Sequence, residues 1–536
     1  MAAPGLAACG SPAAEARFAS TTSSPPASSR QGGLLRVGPL GDGGNYDPTT
    51  NLFDYPQMPL SSIFEGLTSY PIGRTQWRPL PQLATAVVKS ADQLTYRFQV
   101  REGVQFHGGF GELTAADVKY SFERAAGLIP LYPGAPKASV SYYGSDFAGL
   151  QGVTTTGRYT GEIHFAEPFV PFETITMPFA TSGWITSEKA IAEHGAQAGL
   201  HPIGTGPYEV VSYEANSHMT LRRFAGYHGH NRMLGARNAF DEIELLLSPS
   251  NGRSTGQALT VPIESGEVDF TDTLGALDVG LLAGDRSYTA YRAQQPLNYF
   301  FLAMDVRHRG LEDARVRRAI RTALDVDEIN LANRVLASSR LQAPVPPQLE
   351  TGFWAAAPTR RRDLAAARAL LREARAESLS LTIATPNIAF TSGDPTAVMQ
   401  VIQSNLKDVG IDVEVVQTAP DSFVTDPGRG ALLWANFAGA PDPYYQLEWF
   451  ACDQIGVWNY AAWCDKTYSS MLQQLGTTTD PIRRQTIAEQ MQSRMDASCT
   501  TVFASEAVNF ALSRAGVHAA FDGNGNAQLH GFYRTR

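Results

Sequence analysis

Residues 94–122 read LTYRFQVREGVQFHGGFGELTAADVKYSF, and their first seven positions carry a strand pattern. Tyr96, Phe98 and Val100 alternate with polar side chains, so that every second residue is apolar. Successive side chains of a strand point to opposite faces, and this period of two is typical of a half-buried strand. The stretch therefore predicts a strand over 94–100.

The second half of the same stretch predicts a helix. Thr114 precedes Asp117 by three residues, the spacing of a capping box in which side chains satisfy free amides of the first turn. Val118 and Phe122 then fall on one helical face. A strand followed closely by a helix favours a mixed α/β protein.

Segments farther along the chain repeat this alternation of strand and helix. Residues 208–213 and 219–223 are both strand-like and are separated by a polar turn, which predicts a hairpin. Asp313 can cap a helix that follows it, and the helical pattern of 398–409 gives way to a strand over 411–415. The fold class predicted from these patterns is α/β.

Length, composition and charge indicate a globular protein of several domains and argue against a nucleic-acid-binding protein. The chain has 536 residues, 43% of them hydrophobic, which is enough for about two to four domains. Its formal net charge is −9, whereas a nucleic-acid-binding protein needs a basic face that releases counterions. We expect no nucleic acid as a partner, and no stretch of the sequence is apolar enough to predict a membrane-spanning helix.

Residues 1–33 predict an export remnant and a flexible tether. Leu6 to Gly10 (LAACG) has the small-residue shape at which a bacterial lipoprotein is cleaved and its cysteine, here Cys9, is lipidated. Ser, Pro and Ala dominate residues 11–30, and such a segment cannot bury enough apolar surface to offset the entropy of ordering. Only Met1 to Gly5 precede the motif, so either the true start lies upstream or Cys9 is a coincidence.

Two cysteines stand close together late in the sequence. Cys452 and Cys464 flank a Trp-Asn-Tyr segment. Their spacing is compatible with a local disulfide in an oxidising compartment, or with two separate buried thiols. No CxxC pattern occurs, so a structural zinc site is not indicated.

Three short motifs resemble chemical sites but have simpler interpretations. Residues 252–256 (GRSTG) centre on Ser254 like a hydrolase nucleophile elbow, yet a serine-rich segment separates them from the preceding apolar run. Residues 522–526 open like a calcium loop without its required glycine, which predicts an exposed turn. His228 and His230 predict a surface loop. The sequence thus predicts no catalytic residue, no metal site and no cofactor.

A series of segments spread over most of the chain carries a family resemblance. The segments are Phe64–Thr68 (FEGLT), Trp77–Ala84 (WRPLPQLA), Leu94–His107, Thr114–Phe122, Ile203–Tyr208 (IGTGPY), Phe240–Ile243, Glu264–Asp269 and Asp313–Asp325. In this order they resemble the extracellular solute-binding proteins of family 5, which serve peptide, opine and nickel importers. The match to that family is close over the opening stretch.

The resemblance implies a periplasmic-binding-protein-like fold of type II, in the three-lobed class (cluster C), with two ligand-enclosing lobes and an inserted domain. The lobes implied are lobe I (34–70, 201–295 and 506–536), the inserted lobe II (71–200) and lobe III (296–505). Ligand would be enclosed between lobes I and III by hinge closure. A ligand that touches both lobes binds the closed state better and shifts the population towards it.

The segment from Trp434 to Asp442 resembles the ligand-facing loop of the family. Peptide-binding members have an aspartate just after the tryptophan, which neutralises the amino terminus of the peptide, and that position here is Phe437. A buried ammonium without a carboxylate suffers a large desolvation penalty, which argues against a standard free-amine peptide. Asp442, five residues along, could substitute.

Other residues are expected to line the cavity on the same resemblance. Their rings would bury ligand area and their polar tips would fix its orientation. They are Asn45 and Tyr46 in the first glycine-rich loop, and Tyr444, Trp458, Asn459 and Tyr460 in an aromatic-rich region. Ordinary core packing, or a surface turn for the first two, is the alternative interpretation.

The function implied is that of the substrate-binding component of an ABC importer, and not that of an enzyme. It would capture a peptide or related small solute at the outer face of the cytoplasmic membrane or in the periplasm, as a monomer, and deliver it to permease subunits. Two alternatives remain: a secreted serine hydrolase using Ser254, and a nickel-type receptor for a metal chelate with the same fold.

Overall fold

A computed structural model describes most of the chain. The described residues are 18–19, 30–51, 57–74, 76–136, 141, 143–248, 260–293, 295–334, 340–384, 394–416 and 430–535. Within them, three large sheets carry helices on their faces, so the predicted α/β class is confirmed. No helix among these residues is both long enough and apolar enough to cross a membrane.

The strands and helices alternate along the chain. The strands are β1 (Leu34–Gly41), β2 (Thr68–Ser69), β3 (Leu80–Pro81), β4 (Ala84–Lys89), β5 (Thr95–Val100), β6 (Leu150–Thr155), β7 (Thr160–Phe165), β8 (Tyr208–Glu214), β9 (His218–Arg223), β10 (Glu242–Ser248), β11 (Phe270–Thr271), β12 (Tyr288–Arg292), β13 (Tyr299–Met304), β14 (Leu379–Ala384), β15 (Ile411–Val415), β16 (Leu432–Phe437), β17 (Thr501–Glu506), β18 (Phe510–Arg514), β19 (Val517–His518) and β20 (Tyr533–Arg534). The helices are α1 (Gln57–Ile63), α2 (Ala115–Ala125), α3 (Glu188–His194), α4 (Val261–Ser265), α5 (Ala276–Leu282), α6 (Ala314–Ala323), α7 (Val326–Ala332), α8 (Leu364–Ala374), α9 (Pro395–Lys407), α10 (Pro443–Glu448), α11 (Lys466–Thr477) and α12 (Pro481–Ser498).

The first sheet has seven strands in the order β12-β18-β11-β1-β10-β9-β8. Its centre is β1, which pairs in parallel with both β10 and β11. Leu35 and Val37 of β1 are fully buried, as expected for a central strand covered on its faces. The predicted hairpin is confirmed as β8 and β9, which pair antiparallel at the edge.

The second sheet is an antiparallel sheet of four strands in the order β4-β5-β7-β6. Strand β5 is the predicted strand of the opening stretch, and its alternate residues Tyr96, Phe98 and Val100 are buried in the core beneath α2. The capping box of α2 is confirmed as well: the Thr114 amide donates to Asp117 Oδ2 over 2.9 Å.

The third sheet has five strands in the order β15-β14-β16-β13-β17 and is covered on both faces. Helices α6 to α9 pack on one face, and α10 to α12 pack on the other. All six residues of β13 are therefore buried. Strand β15 lies at the edge, so only Ile411 of its predicted alternating residues is fully buried, while Val415 remains 38% exposed.

Candidate functional site

Two chain segments connect the seven-stranded sheet to the five-stranded sheet. The first runs from the end of β12 to the start of β13, and the second runs from the end of β17 to the start of β18. The segments are hydrogen-bonded to each other, because the Ala507 amide donates to Asn298 O (2.7 Å) and the Ala293 amide donates to Asn509 O (2.9 Å). Such a paired crossing is the kind of short connection that can act as a hinge between two bodies.

The five-stranded sheet presents polar side chains beside this crossing. Asn436 and Ser505 lie near the carboxyl ends of β16 and β17, and both stand opposite Phe300 of β13. Within the described residues, Asn436 Nδ2 and Ser505 Oγ are buried and have no hydrogen-bond partner. Ligands of open α/β sheets bind beyond the carboxyl ends of the strands, and buried polar atoms without partners call for a ligand or water there. This edge is the candidate site on the five-stranded sheet.

The loop that follows β1 of the seven-stranded sheet contains Asn45 and Tyr46. Asn45 Nδ2 donates to Thr50 O (3.1 Å) and Thr50 Oγ1 (3.0 Å), which closes the loop on itself. Tyr46 is 1% exposed and donates to Asp42 Oδ1 over 3.0 Å. Burial and this carboxylate raise the pKa of Tyr46. In the structure both side chains hold the shape of the loop.

The same loop is tied to the four-stranded sheet by a buried ion pair. Asp47 in the loop pairs with Arg124 of α2, and both side chains are at least 95% buried. A second bond of the pair joins Arg124 Nη1 to Asp47 Oδ1 over 3.0 Å. The loop and the body built on the four-stranded sheet are therefore held together, because separating them would leave a buried charge without its partner.

Trp434 and Phe437 point to opposite faces of β16. Trp434 stacks on Phe300 at a centroid distance of 5.6 Å, in the core beneath α6 to α9. Phe437 lies in the aromatic core of the other face, 4.7 Å from the Phe301 ring and 5.2 Å from the Tyr460 ring. Position 437 thus holds an aromatic ring of the core in place of a carboxylate, and its side chain is 6% exposed.

Both carboxylate oxygens of Asp442 already accept hydrogen bonds within the protein. Its Oδ1 accepts from Arg484 Nη2 (2.6 Å) and from the Tyr444 amide at the start of α10 (2.8 Å). Its Oδ2 accepts from Thr174 Oγ1 of the four-stranded body (2.9 Å). The carboxylate already has a buried cationic partner in Arg484, so Asp442 is a structural anchor in this arrangement.

Tyr444 lies where the four-stranded and five-stranded bodies touch. Its ring packs edge-on against Phe169 at 5.6 Å, and burial raises its pKa. Beside it, the Val170 amide donates to Gly476 O over 2.8 Å. With the bond from Thr174 to Asp442, these contacts close the gap between the two bodies on this side.

Trp458, Asn459 and Tyr460 lie in a loop that a disulfide closes. Cys452 and Cys464 are bonded, with an Sγ–Sγ distance of 2.07 Å. Asn459 is 1% exposed, and its Nδ2 donates to the carbonyl oxygens of Phe450 and Ala451, just before the loop, and of Trp463 within it. Trp458 is only partly buried, and its ring packs against Phe437 and Trp449.

Two of the motifs considered in the sequence differ from expectation. His228 does not lie on an open surface loop: its Nε2 is 2.9 Å from Glu65 Oε2, and its side chain is 7% exposed. The turn at 522–526 is also buried, with Asn524 at 2% exposure. In both cases the partners come from distant parts of the chain, which a local motif does not reveal.

A small cavity lies between the seven-stranded and four-stranded bodies. Tyr70, Trp184, Asp522 and His530 are among its lining residues, and its volume is about 60 Å³. That volume holds a few water molecules and is too small for a peptide. Burial raises the pKa of Asp522 to about 6 and lowers that of His530 to about 4.

Sequence patterns did not indicate the residues that form, or in the case of Arg484 support, the contacts between the bodies. Arg484, Thr174 and Asn298 carried no motif, because each is defined by a partner far away in the chain. Cys9 and Ser254 lie outside the described residues. Within the described residues, no three His, Cys, Asp or Glu side chains are grouped to hold a metal ion.

Comparisons with known proteins add the family context. Residues 78–456 match the family described as "Bacterial extracellular solute-binding proteins, family 5 Middle". The dipeptide-binding protein of Escherichia coli is 24% identical over 461 residues, which cover 82% of each chain. The di/tripeptide-binding protein 2 of Pseudomonas aeruginosa is 26% identical over 439 residues, covering 77% of this chain and 78% of that protein.

A solved structure has a fold similar to that of this chain. The dipeptide-binding protein of Pseudoalteromonas sp. SM9913, in complex with Met-Leu, superposes with a TM-score of 0.83 at 19% identity. The superposition covers 94% of this chain and 100% of that one. The predicted periplasmic-binding-protein fold is confirmed.

Proposed function

Since the chain belongs to the bacterial extracellular solute-binding proteins of family 5, we propose that it captures a peptide or related small solute and delivers it to the permease of an ABC importer. The observation that carries this proposal is the paired crossing between the seven-stranded and five-stranded sheets. Two bodies joined by such a crossing can close on a guest by bending at one place. The relatives named for dipeptides and tripeptides support a peptide as the solute.

We propose the lobe boundaries expected from the sequence: 34–70, 201–295 and 506–536 for lobe I, 71–200 for lobe II, and 296–505 for lobe III. The distribution of strands supports them, because each large sheet draws its strands from one proposed lobe. Lobe II contacts both other lobes, through Asp47 and Arg124 on one side and through Thr174 and Asp442 on the other. Lobe II therefore forms a side wall of the proposed cleft.

The proposed ligand site lies at the carboxyl ends of β16 and β17. Asn436 and Ser505 offer neutral hydrogen-bonding groups there, and Phe437 offers no carboxylate. We therefore propose that the solute does not place a free ammonium group at the end of β16. The partly buried rings of Tyr444 and Trp458 are proposed as contacts of the solute.

The remaining predicted site residues are proposed to hold the walls of the cleft. Their side chains are engaged in the core or in closed loops, so they act on the solute through the shape of the cavity. They are Asn45, Tyr46, Trp434, Phe437, Asp442, Asn459 and Tyr460.

We propose that the protein acts outside the cytoplasmic membrane, as a monomer, held there by lipid on Cys9. It would make and break no bond in the solute, because its role is capture and delivery. The family is one of extracellular proteins, which supports the location.

Native mass spectrometry of the protein purified from its own host tests the proposal. We expect a bound mass in the range of a short peptide or a similar solute, released when the protein is denatured. Added di- and tripeptides should then exchange with it and raise the unfolding temperature by mass action. A protein that carries no ligand, binds no member of such a panel and turns over a substrate would contradict the proposal.

A further inference from the structure

The buried loop at 522–526 occupies the place where the three sheet-based bodies meet. Asn524 at its tip is 2% exposed. The neighbouring Gly523 packs so closely on the four-stranded body that a Cβ there would lie 2.8 Å from the Trp77 ring. The loop itself follows β18 of the seven-stranded sheet. It therefore reaches from one body into the contact between the other two.

The side-chain amide of Asn524 is shared among three bonds to the five-stranded body. Its Oδ1 accepts from the Leu297 amide over 2.7 Å. Its Nδ2 donates to Asn298 Oδ1 (3.2 Å) and to Gly439 O (3.4 Å). Leu297 and Asn298 end the first crossing segment, and Gly439 follows β16. One amide thus holds both the hinge segment and the loop beside the proposed ligand site.

Close contacts around Asn524 restrict the relative movement of the first crossing segment and the loop after β16. Asn298 Oδ1 also accepts from the Gly439 amide over 2.8 Å. A Cβ on Gly439 would lie 2.2 Å from Leu297 O, so the two segments touch through their backbones. The Asn298 carbonyl accepts from Ala507 of the second crossing segment. A rotation of the five-stranded body about the crossing must move these atoms relative to Asn524.

We propose that Asn524 is a positioning residue that sets the angle between the two ligand-enclosing bodies, by fixing the first crossing segment and the loop after β16 to the C-terminal loop. The inference rests on the proposed function. Its consequence is energetic: bonds that form in one arrangement of the bodies raise the population of that arrangement, and ligand affinity scales with the competent fraction. The arrangement favoured is the one in which Val170 and Thr174 contact the five-stranded body.

The test compares Asn524→Ala with a matched control in the same loop, Asn526→Ala. Among the described residues, Asn526 Nδ2 donates to Asp522 Oδ2, so this side-chain bond stays within the loop. Small-angle scattering of the ligand-free proteins should show a larger or broader distance distribution for Asn524→Ala alone. Calorimetry with the dipeptide Met-Leu as probe should show affinity weakened about tenfold, as expected when a buried amide loses its partner. Both variants should lower the unfolding temperature.

Several outcomes would overturn the inference. An Asn524→Ala protein with a lowered unfolding temperature but the scattering profile and affinity of the parent would make Asn524 a purely structural residue. If Asn524→Ala does not fold, Asn298→Ala removes the same contact from the opposite side and carries the same expectation. If the parent binds no peptide, the proposed function fails, yet the ligand-free scattering still decides the role of Asn524.

Discussion

At the scale of single residues, a buried ion pair within the five-stranded body holds the carboxylate that contacts the four-stranded body. Asp442 and Arg484 are each 5% exposed at the side chain and lie 2.6 Å apart. Arg484 also donates to Leu475 O over 2.7 Å. Removing one member of such a pair leaves a charge buried without its partner, which costs far more than the pair contributes as a whole.

Arg484→Met is therefore expected to lower the free energy of unfolding by about 3–5 kcal/mol. The double variant Arg484→Met with Asp442→Asn should recover part of this loss, because no uncompensated carboxylate remains. Urea unfolding followed by circular dichroism measures both. The exposed pair Arg97–Glu162 supplies the control, since Arg97→Met should change the stability by less than about 1 kcal/mol. Equal losses in the buried and exposed variants would contradict the anchor role.

The buried His530 predicts how the stability of the protein depends on pH. Burial lowers its pKa from 6.5 to about 4, so the folded protein holds it neutral while the unfolded chain takes up a proton first. Its contribution to stability is complete above pH 6.5 and is lost as the pH falls towards 4, up to about 3 kcal/mol. The neighbouring Asp522, with a pKa of about 6, acts in the opposite direction over the same range.

The His530→Asn variant separates the contribution of His530 from the opposite contribution of Asp522. Between pH 7 and pH 4 its free energy of unfolding should fall less steeply than that of the parent. His201→Asn, which replaces an exposed histidine, is the matched control. Identical slopes for the parent and His530→Asn would show that His530 is not held neutral by burial.

At the scale of elements, sequence patterns predict those structural features that depend on neighbouring residues. The alternation in β5 and the capping box of α2 involve residues within a few positions of one another, and both were predicted. By contrast, Trp434 and Phe437 lie on a strand covered on both faces, so alternation does not tell which face borders a ligand. Asn298 and Asn524 are 226 positions apart, and no local pattern predicts their contact.

The cap of α2 supports a prediction at this scale. Thr114→Ala removes the hydroxyl that accepts from the Ala116 amide and should destabilise the protein by about 1 kcal/mol. Thr114→Ser keeps the hydroxyl and should cost only a fraction of that amount. Chemical unfolding of the two variants side by side measures the difference. A serine variant as unstable as the alanine variant would place the effect in the lost methyl group and not in the cap.

At the scale of the whole molecule, lobe II connects to both sides of the proposed cleft. With the proposed boundaries, its contact with lobe I includes a buried ion pair, whereas its contact with lobe III includes hydrogen bonds and the packing of Phe169 on Tyr444. The second contact is the weaker one, because on separation Asp442 keeps Arg484 as its partner, whereas separating Asp47 from Arg124 leaves a buried charge without its partner. Opening is therefore expected between lobes II and III.

Thr174→Val tests this directly, since it removes the hydroxyl that donates to Asp442 and keeps the shape of the side chain. Dissociation of a di- or tripeptide that binds in calorimetry, followed by stopped-flow fluorescence, should become about three- to tenfold faster. Thr477→Val is the control, because the bonds that the structure describes for the Thr477 hydroxyl lie within its own helix. Equal dissociation rates for the parent and Thr174→Val would place the opening elsewhere.

Bending at the paired crossing around a captured solute is the central claim, and small-angle X-ray scattering with and without solute tests it most directly. Saturation with a di- or tripeptide that binds in calorimetry should reduce the radius of gyration and narrow the distance distribution. A peptide that binds tightly while the scattering profile stays the same would contradict the account, because the two bodies would then hold it without moving.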